Sequence, residues 1–137
     1  MGTTNEFCWP VRVYYEDTDS GGVVYYANYL RFLERARTEY LRSLGFEQDK
    51  LKQQGIIFAV RSVSIEYLKP ALFNDMLTVT AQVSELARAS FTFQQKIMRQ
   101  TDQTLISSAI VRIACIDVNR FIPTPIPETI REAIRGN

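Results

Sequence analysis

The sequence predicts an α+β domain in which one long helix packs on a five-stranded antiparallel sheet. Two observations carry that reading. Between about Ala27 and Leu44 the residues Leu30, Leu33, Ala36, Tyr40, Leu41 and Leu44 recur at helical spacing. After Ile56 the pattern changes to long extended runs. The clearest has Leu77, Val79, Ala81 and Val83 alternating with Thr78, Thr80, Gln82 and Ser84.

Each element follows from local chemistry. Phe7 to Tyr15 reads as a first strand, with Val11, Val13 and Tyr15 on one face. Glu16 to Val24 breaks it, and the pair Gly21-Gly22 marks a loop with unusual backbone angles. The helix stops at Gly45, with Arg31, Arg35 and Arg42 lying between its apolar positions. Glu47 to Gln54 adds one short helical turn before Gly55. Ile56 to Leu68 is a long strand ending at Lys69-Pro70, and Ser90 to Arg99 is another, followed by a turn around Gln100 to Gln103. Leu105 to Asp117 is apolar on both faces, as a central or interface strand would be. There Ile106, Ile110, Ala114 and Ile116 oppose Leu105, Ala109, Val111, Ile113 and Cys115. Pro123, Pro125 and Pro127 give an extended connection, and Pro127 starts a last short helix through Ile134. No repeat, linker or low-complexity tract interrupts the chain, so residues 1–137 read as one domain. One helix cannot cover both faces of such a sheet, so a homo-oligomer is expected.

Composition narrows the function. Hydrophobic residues make up 46% and charged residues 23% of the 137 positions, which is globular rather than disordered. A net charge of +1 supplies no field for nucleic acid or an anionic membrane. No apolar run approaches a membrane span, and Met1 to Pro10 lacks the apolar core of a signal peptide. Cys8 and Cys115 form no disulfide framework, and Cys115 sits in an apolar run where an inert thiol is the plainer reading. A cytoplasmic protein without metal or cofactor is expected. The chain contains no histidine, which removes Ser-His and Cys-His triads, histidine-ligated zinc and histidine bases. Acid–base work at neutral pH is left to carboxylates, tyrosine, lysine, cysteine or water.

The segment from Tyr14 to Tyr29 carries chemistry. It places Glu16, Asp17 and Asp19 on a glycine-containing loop between a strand and a helix. A helix N-terminus offers unpaired N–H groups and partial positive charge, which polarise a carbonyl oxygen. A nearby carboxylate could attack that carbonyl or take a proton from an attacking water. Thioesters suit so modest an apparatus, because a thiolate leaves readily. Spacing does not choose among the three acids. In an extended stretch Asp17 and Asp19 would point the same way. The plain alternative is a set of turn-capping acids facing water.

Tyr14-Tyr15-Glu16-Asp17-Thr18-Asp19-Ser20-Gly21-Gly22 resembles the signature of the 4-hydroxybenzoyl-CoA thioesterase-like hotdog family. More narrowly, Val11 to Asp19 and Phe32 to Tyr40 resemble the Tol-Pal-associated acyl-CoA thioesterases of the YbgC type. Glu66-Tyr67 before Pro70-Ala71, Asp75 before Leu77, and Cys115-Ile116-Asp117 extend the match along nearly the whole chain. The resemblance implies a hotdog fold and hydrolysis of acyl-CoA, or of acyl-acyl-carrier-protein, at a subunit interface in a dimer of dimers. It assigns catalysis to Asp19, places Tyr15 beside it, and puts the polarising N–H groups near Tyr26 and Ala27. Many YbgC-type members carry histidine where Tyr26 stands, whereas the 4-hydroxybenzoyl-CoA type carries tyrosine. A backbone donor survives that exchange; an imidazole contact does not. Arg88 and Ser90 fall at the strand junction that meets coenzyme A, as phosphate and hydroxyl donors. Phe58, Ala59 and Val60 are candidates to line the acyl channel. A non-catalytic acyl-thioester scaffold for lipid-synthesis or envelope partners is the second reading. A hotdog hydratase is disfavoured, because that chemistry typically uses histidine.

Overall fold

The computed structural model describes residues 6–136. Of the amino-terminal stretch Met1 to Pro10 read above, residues 1–5 lie outside the described range. The elements are β1 (Phe7–Arg12), a 3-10 turn (Tyr15–Asp17), α1 (Asn28–Ser43), α2 (Gln48–Gln53), β2 (Ile56–Tyr67), β3 (Met76–Leu86), β4 (Ser90–Arg99), β5 (Leu105–Asp117) and α3 (Glu128–Arg135). The strands form one antiparallel sheet in the order β1-β3-β4-β5-β2. This is the α+β, five-stranded antiparallel arrangement that the sequence predicts, with β5 inside the sheet.

One face of the sheet packs on α1. Val79, Ala81, Phe91, Phe93, Val111 and Cys115 are buried on that face. From α1 they meet Phe32, Leu33, Ala36, Tyr40 and Leu41, which are also buried. Tyr40 meets Phe93 edge-on at 5.6 Å between ring centroids. The helical spacing in the sequence therefore marks the buried stripe, apart from Leu30, which is 42% exposed. Burial pushes the Cys115 thiol up to about 11, consistent with an inert core cysteine.

Arg37 is a charged residue inside this apolar layer. Its Nη1–H donates to Gln95 Oε1 at 3.1 Å, and Gln95 Nε2 donates to the carbonyls of Leu33 and Thr80. Burial lowers the Arg37 pKa. Gln95 thus joins helix to sheet through three polar groups that would otherwise be desolvated without partners.

Two sequence readings need correction. The first strand stops at Arg12, and Tyr15 does not share a face with Val11 and Val13. The Tyr14 N–H turns to the Asp17 carboxylate, and the chain closes into the 3-10 turn. Val13 is fully buried while Tyr15 is 80% exposed. The far face of β5 is also less apolar than expected. Ile110 is 51% exposed, and it is flanked across the surface by Ser64, Gln94, Lys96 and Arg112, also exposed. Within the strands, the other exposed large apolar groups are Val60, Val63 and Tyr67 on the edge strand β2.

Gln95→Leu should lower the unfolding free energy by about 2–3 kcal/mol, because it leaves the Arg37 guanidinium buried with no acceptor. Urea denaturation checks this. A loss within error of zero would mean that Arg37 swings out to water instead.

Candidate active site

Residues 17–25 form a tight hairpin between the 3-10 turn and α1. Asp19 N–H donates to Val23 O and Tyr25 N–H to Asp17 O, both at 2.9 Å, with Thr18 bridged to Val24 between them. Gly22 closes the tip at φ +83°, a conformation that favours glycine. Asp19 sits at this tip, exposed. Its Oδ1 accepts the Gly21 N–H at 2.8 Å, an Asx turn that fixes the carboxylate. A Cβ on Gly21 would come to 3.3 Å from that oxygen, so glycine keeps the space clear. Among the described residues nothing donates to Oδ2.

Asp17 has a different environment. It is 4% exposed, and its two oxygens accept the Tyr14 N–H at 2.8 Å and the Asn28 amide at 2.7 Å. The two acids therefore do not point the same way. Asp17 is internal with a donor on each oxygen, whereas Asp19 has one oxygen without a donor at the surface. Geometry separates what spacing left open.

A cavity of about 510 Å³ opens beside Asp19, lined by Tyr15, Thr18, Asp19, Ser20, Gly22 and Phe73. The Tyr15 and Phe73 rings meet at 5.6 Å and form one wall. The structure thus brings Tyr15 and Asp19 together. Tyr26 is not in that lining. It stands at the entry to α1, 61% exposed, with its ring against Tyr25 at 5.0 Å and edge-on to Tyr67 at 6.1 Å. The Asn28 N–H already donates to Tyr25 O. Among the described residues, none accepts from the N–H of Tyr26 or Ala27. The first turn of α1 holds no acidic side chain, so its partial positive charge is not offset from within the helix.

The other candidates lie elsewhere. Arg88 is exposed on the β3–β4 turn, and Ser90, half-buried, opens β4. The carbonyl of Arg88 accepts from the Ile126 N–H and from Arg131, which anchors the turn to the chain around α3. The Asp19 hairpin instead meets the chain ahead of β3, where Val23 bridges Leu72. The whole length of β3 separates them, roughly 30 Å at about 3.3 Å per residue. Phe58 packs edge-on against Phe91 at 5.2 Å, and Val60 is 50% exposed. With Arg37, Thr38 and Ile113 they help to line a smaller cavity of about 50 Å³ between α1 and the sheet.

Comparison with known proteins now decides the family. The family model of the thioesterase-like superfamily matches residues 13–134. The chain belongs to that superfamily. It is 47% identical over 130 residues to the acyl-CoA thioesterase YbgC of Haemophilus influenzae, covering 94% of each chain. It is 43% identical over 127 residues to the acyl-CoA thioester hydrolase YbgC of Escherichia coli O157:H7, covering 93% of this chain and 94% of the other. Among solved structures, a 1,4-dihydroxy-2-naphthoyl-CoA thioesterase from Synechocystis superposes with a TM-score of 0.90 at 24% identity and 96% coverage of both chains. That likeness concerns the fold, which is the expected hotdog. These identities bear out the YbgC resemblance read along nearly the whole sequence, and with it the reading of an acyl-CoA thioesterase. No helix among its described residues is long and apolar enough to cross a membrane.

Sequence reasoning missed Asn28 and Phe73. Asn28 is legible in principle, as an amide at a helix start within reach of a preceding acid. Phe73 has no local signal. It reaches the cavity only because Leu72 pairs with Val23, 49 positions earlier in this thioesterase-like fold.

The two aspartates should respond oppositely in stability. Asp17→Ala removes two buried hydrogen bonds and should cost about 1–3 kcal/mol. Asp19→Asn should change stability by less than about 0.5 kcal/mol, as for a surface site. Thermal unfolding of the two variants side by side is the measurement; equal losses would contradict the assigned environments.

Proposed function

We propose that the protein hydrolyses acyl-CoA, with Asp19 as the reacting carboxylate and the α1 entry as the carbonyl-binding element. One observation carries this reading: a carboxylate fixed through Oδ1, with Oδ2 free, at the mouth of a cavity on the segment leading into that helix. The acyl carbonyl would lie against the N–H groups of Tyr26 and Ala27, where the developing oxyanion is stabilised. Tyr15 and Phe73 would flank the thioester arm. Asp19 Oδ2 attacks the carbonyl carbon, the C–S bond breaks, and coenzyme A leaves as the thiolate. Water then hydrolyses the mixed anhydride, releasing the free acid and restoring the carboxylate. A carboxylate oxygen with no other partner, facing a polarised carbonyl, suits direct nucleophilic attack. An acyl group on acyl carrier protein presents the same thioester and belongs to the same proposal, as does a cytoplasmic location.

The site is completed by a second copy. Arg88 and Ser90 cannot reach Asp19 within one chain, being a strand's length away. Two β2 edges paired antiparallel about a twofold axis would join two sheets and cover Val60, Val63 and Tyr67. That pairing sets the Ile56 end of one β2 beside the Tyr67 end of the other. It brings the partner subunit's Arg88 turn to the end of the molecule that carries Asp19. Arg88 would then bind coenzyme A phosphate across the interface, and Phe58 and Val60 would line the acyl end. A dimer of dimers is the larger assembly in this reading.

Asp19→Asn should reduce kcat at least about a thousandfold against a panel of butyryl-, palmitoyl- and benzoyl-CoA. A single turnover of wild-type enzyme in oxygen-18 water should leave label in Asp19, through attack on the aspartyl carbon. Activity retained by Asp19→Asn and lost in Asp17→Asn would overturn the assignment. An unlabelled Asp19 with no trappable acyl-enzyme would instead favour the general base. If Asp19→Asn retains acyl-CoA binding and the wild type hydrolyses nothing, the scaffold reading is correct.

Sedimentation should show a dimer or tetramer at micromolar concentration. Mixing Asp19→Asn and Arg88→Ala subunits should restore turnover above that of either variant alone, since each mixed dimer holds one intact site. A compact monomer, or no recovery on mixing, would remove the shared site.

A further inference from the structure

We propose that Arg99 and Asp75 are positioning residues of the Asp19 site, acting through the loop at 70–75. The inference rests on the reading of Asp19 as the reacting carboxylate. It begins with what holds the hairpin. On the α1 side, Asp17 fixes the base of the hairpin to Tyr14 and Asn28. On the other side, the hairpin leans on residues 71–73. Val24 N–H donates to Ala71 O at 2.9 Å, Val23 bridges Leu72, and Phe73 N–H donates to Gly22 O at 3.4 Å. Phe73 also supplies a cavity wall. The place of Asp19 therefore depends on a loop that belongs to no strand.

That loop is held from several sides, including Arg12 Nη1–H to Asn74 O and Val13 N–H to Asp75 O, both at 2.9 Å. Leu72 to Asp75 make a turn closed by Asp75 N–H to Leu72 O, with Asn74 at φ +72°. Tyr29 OH, buried under it, accepts the Ala71 N–H at 3.1 Å. Asn74 N–H donates to Val13 O at 2.9 Å. The contact that spans the loop from end to end is a side-chain clamp from the end of β4. Arg99 Nε donates to Asp75 Oδ2 at 2.9 Å, and its Nη2 donates to Pro70 O at 2.8 Å. The same Asp75 oxygen accepts the Leu72 N–H at 2.9 Å. One guanidinium thus grips both ends of the loop, and Asp102 holds its remaining nitrogen at 3.1 Å. The Arg99 and Asp75 side chains are 16% and 19% exposed, so the bond between them is partly buried, while the arm to Pro70 O lies at the surface.

The consequence is geometric. Pro70 and Asp75 are the loop's two ends, and Leu72 is its contact with the hairpin. Losing the fork frees the loop to shift against Val23 and Val24, and Asp19 moves with them. A displacement on the order of 1 Å can cost about a hundredfold in rate without altering ground-state binding. Neither Arg99 nor Asp75 lines the Asp19 cavity, so a direct role in substrate contact does not arise. Lysine cannot replace the fork, because it offers a point charge where two divergent donors are needed.

The test uses Arg99→Gln, Arg99→Lys, Asp75→Asn and the Arg99→Gln/Asp75→Asn double variant, assayed on whichever of butyryl-, palmitoyl- or benzoyl-CoA the wild type turns over. Each single variant should lose about tenfold to a hundredfold in kcat with KM within about threefold. Arg99→Lys should recover only part of the loss. The double variant should be no slower than the slower single, as expected for two residues acting through one contact. Amide exchange supplies a readout independent of activity. Residues 18–24 should exchange faster in Arg99→Gln, while residues 78–84 in the interior of β3 keep their wild-type protection. Unchanged kcat, or faster exchange throughout the molecule, would overturn the proposal. Should Asp19→Asn prove active, the catalytic reading fails, and the exchange result still decides whether the clamp holds the hairpin.

Discussion

Both oxygens of Asp17 are engaged inside the protein, one by the Tyr14 backbone and the other by the Asn28 side chain. Tyr14 closes the run from β1 and Asn28 opens α1, so one carboxylate sets the distance between strand and helix. Asp19, the candidate reacting carboxylate, lies on the segment between those two residues. Burying a carboxylate is costly unless its oxygens find donors, and here each oxygen has one. The constraint propagates outward. With the base of the hairpin fixed, the Asp17–Tyr25 and Asp19–Val23 hydrogen bonds place the tip. The Asx turn to Gly21 then fixes one oxygen of Asp19 and leaves the other open.

The fold was legible because its signals are periodic and local. The alternation from Leu77 to Ser84 and the spacing from Leu33 to Leu41 each record one buried face. Ser90 and Arg99 even bound β4 where the sequence placed them. The errors came where a side chain overrides periodicity. Tyr15 continues the inward pattern of Val11 and Val13, yet the Asp17 carboxylate captures the Tyr14 N–H and turns the chain first. β5 misled differently. Its residues alternate with little polar contrast, but exposure depends on neighbours across the sheet, and Gln94, Lys96 and Ser64 surround Ile110 with polar groups. Likewise Asp17 and Asp19 are indistinguishable by spacing, and a hydrogen-bond inventory separates them at once.

Site residues divide by whether their partners are near in sequence. Asp19 with Gly21, and Asp17 with Asn28, can be argued from a short window. The contributions of Phe73, Pro70 and Arg99 depend on pairing between β3 and β4 and on where the 70–75 loop crosses the hairpin. No local pattern encodes such crossings. Arg88 and Ser90 show the opposite case. Resemblance grouped them with Asp19, while the strand topology holds them far from it in a single chain. The proposed two-chain binding surface reconciles the two, and it would also cover the apolar groups on the edge of β2.

The substitution at Tyr26 can be judged on the same physical grounds. In this position a side chain could act by its own hydrogen bonds, or it could merely accompany a main-chain donor. The Tyr26 ring is turned to Tyr25 and Tyr67 and its phenol is not part of the Asp19 cavity lining. In the proposed site the position would contribute its N–H, which any residue but proline supplies. An imidazole there would add a titrating group near neutral pH. Tyrosine lacks that group and presents an aromatic ring set edge-on to Tyr67 of β2. The exchange thus bears more on which acyl groups the site accepts, and on how it responds to pH, than on whether the carbonyl can be polarised.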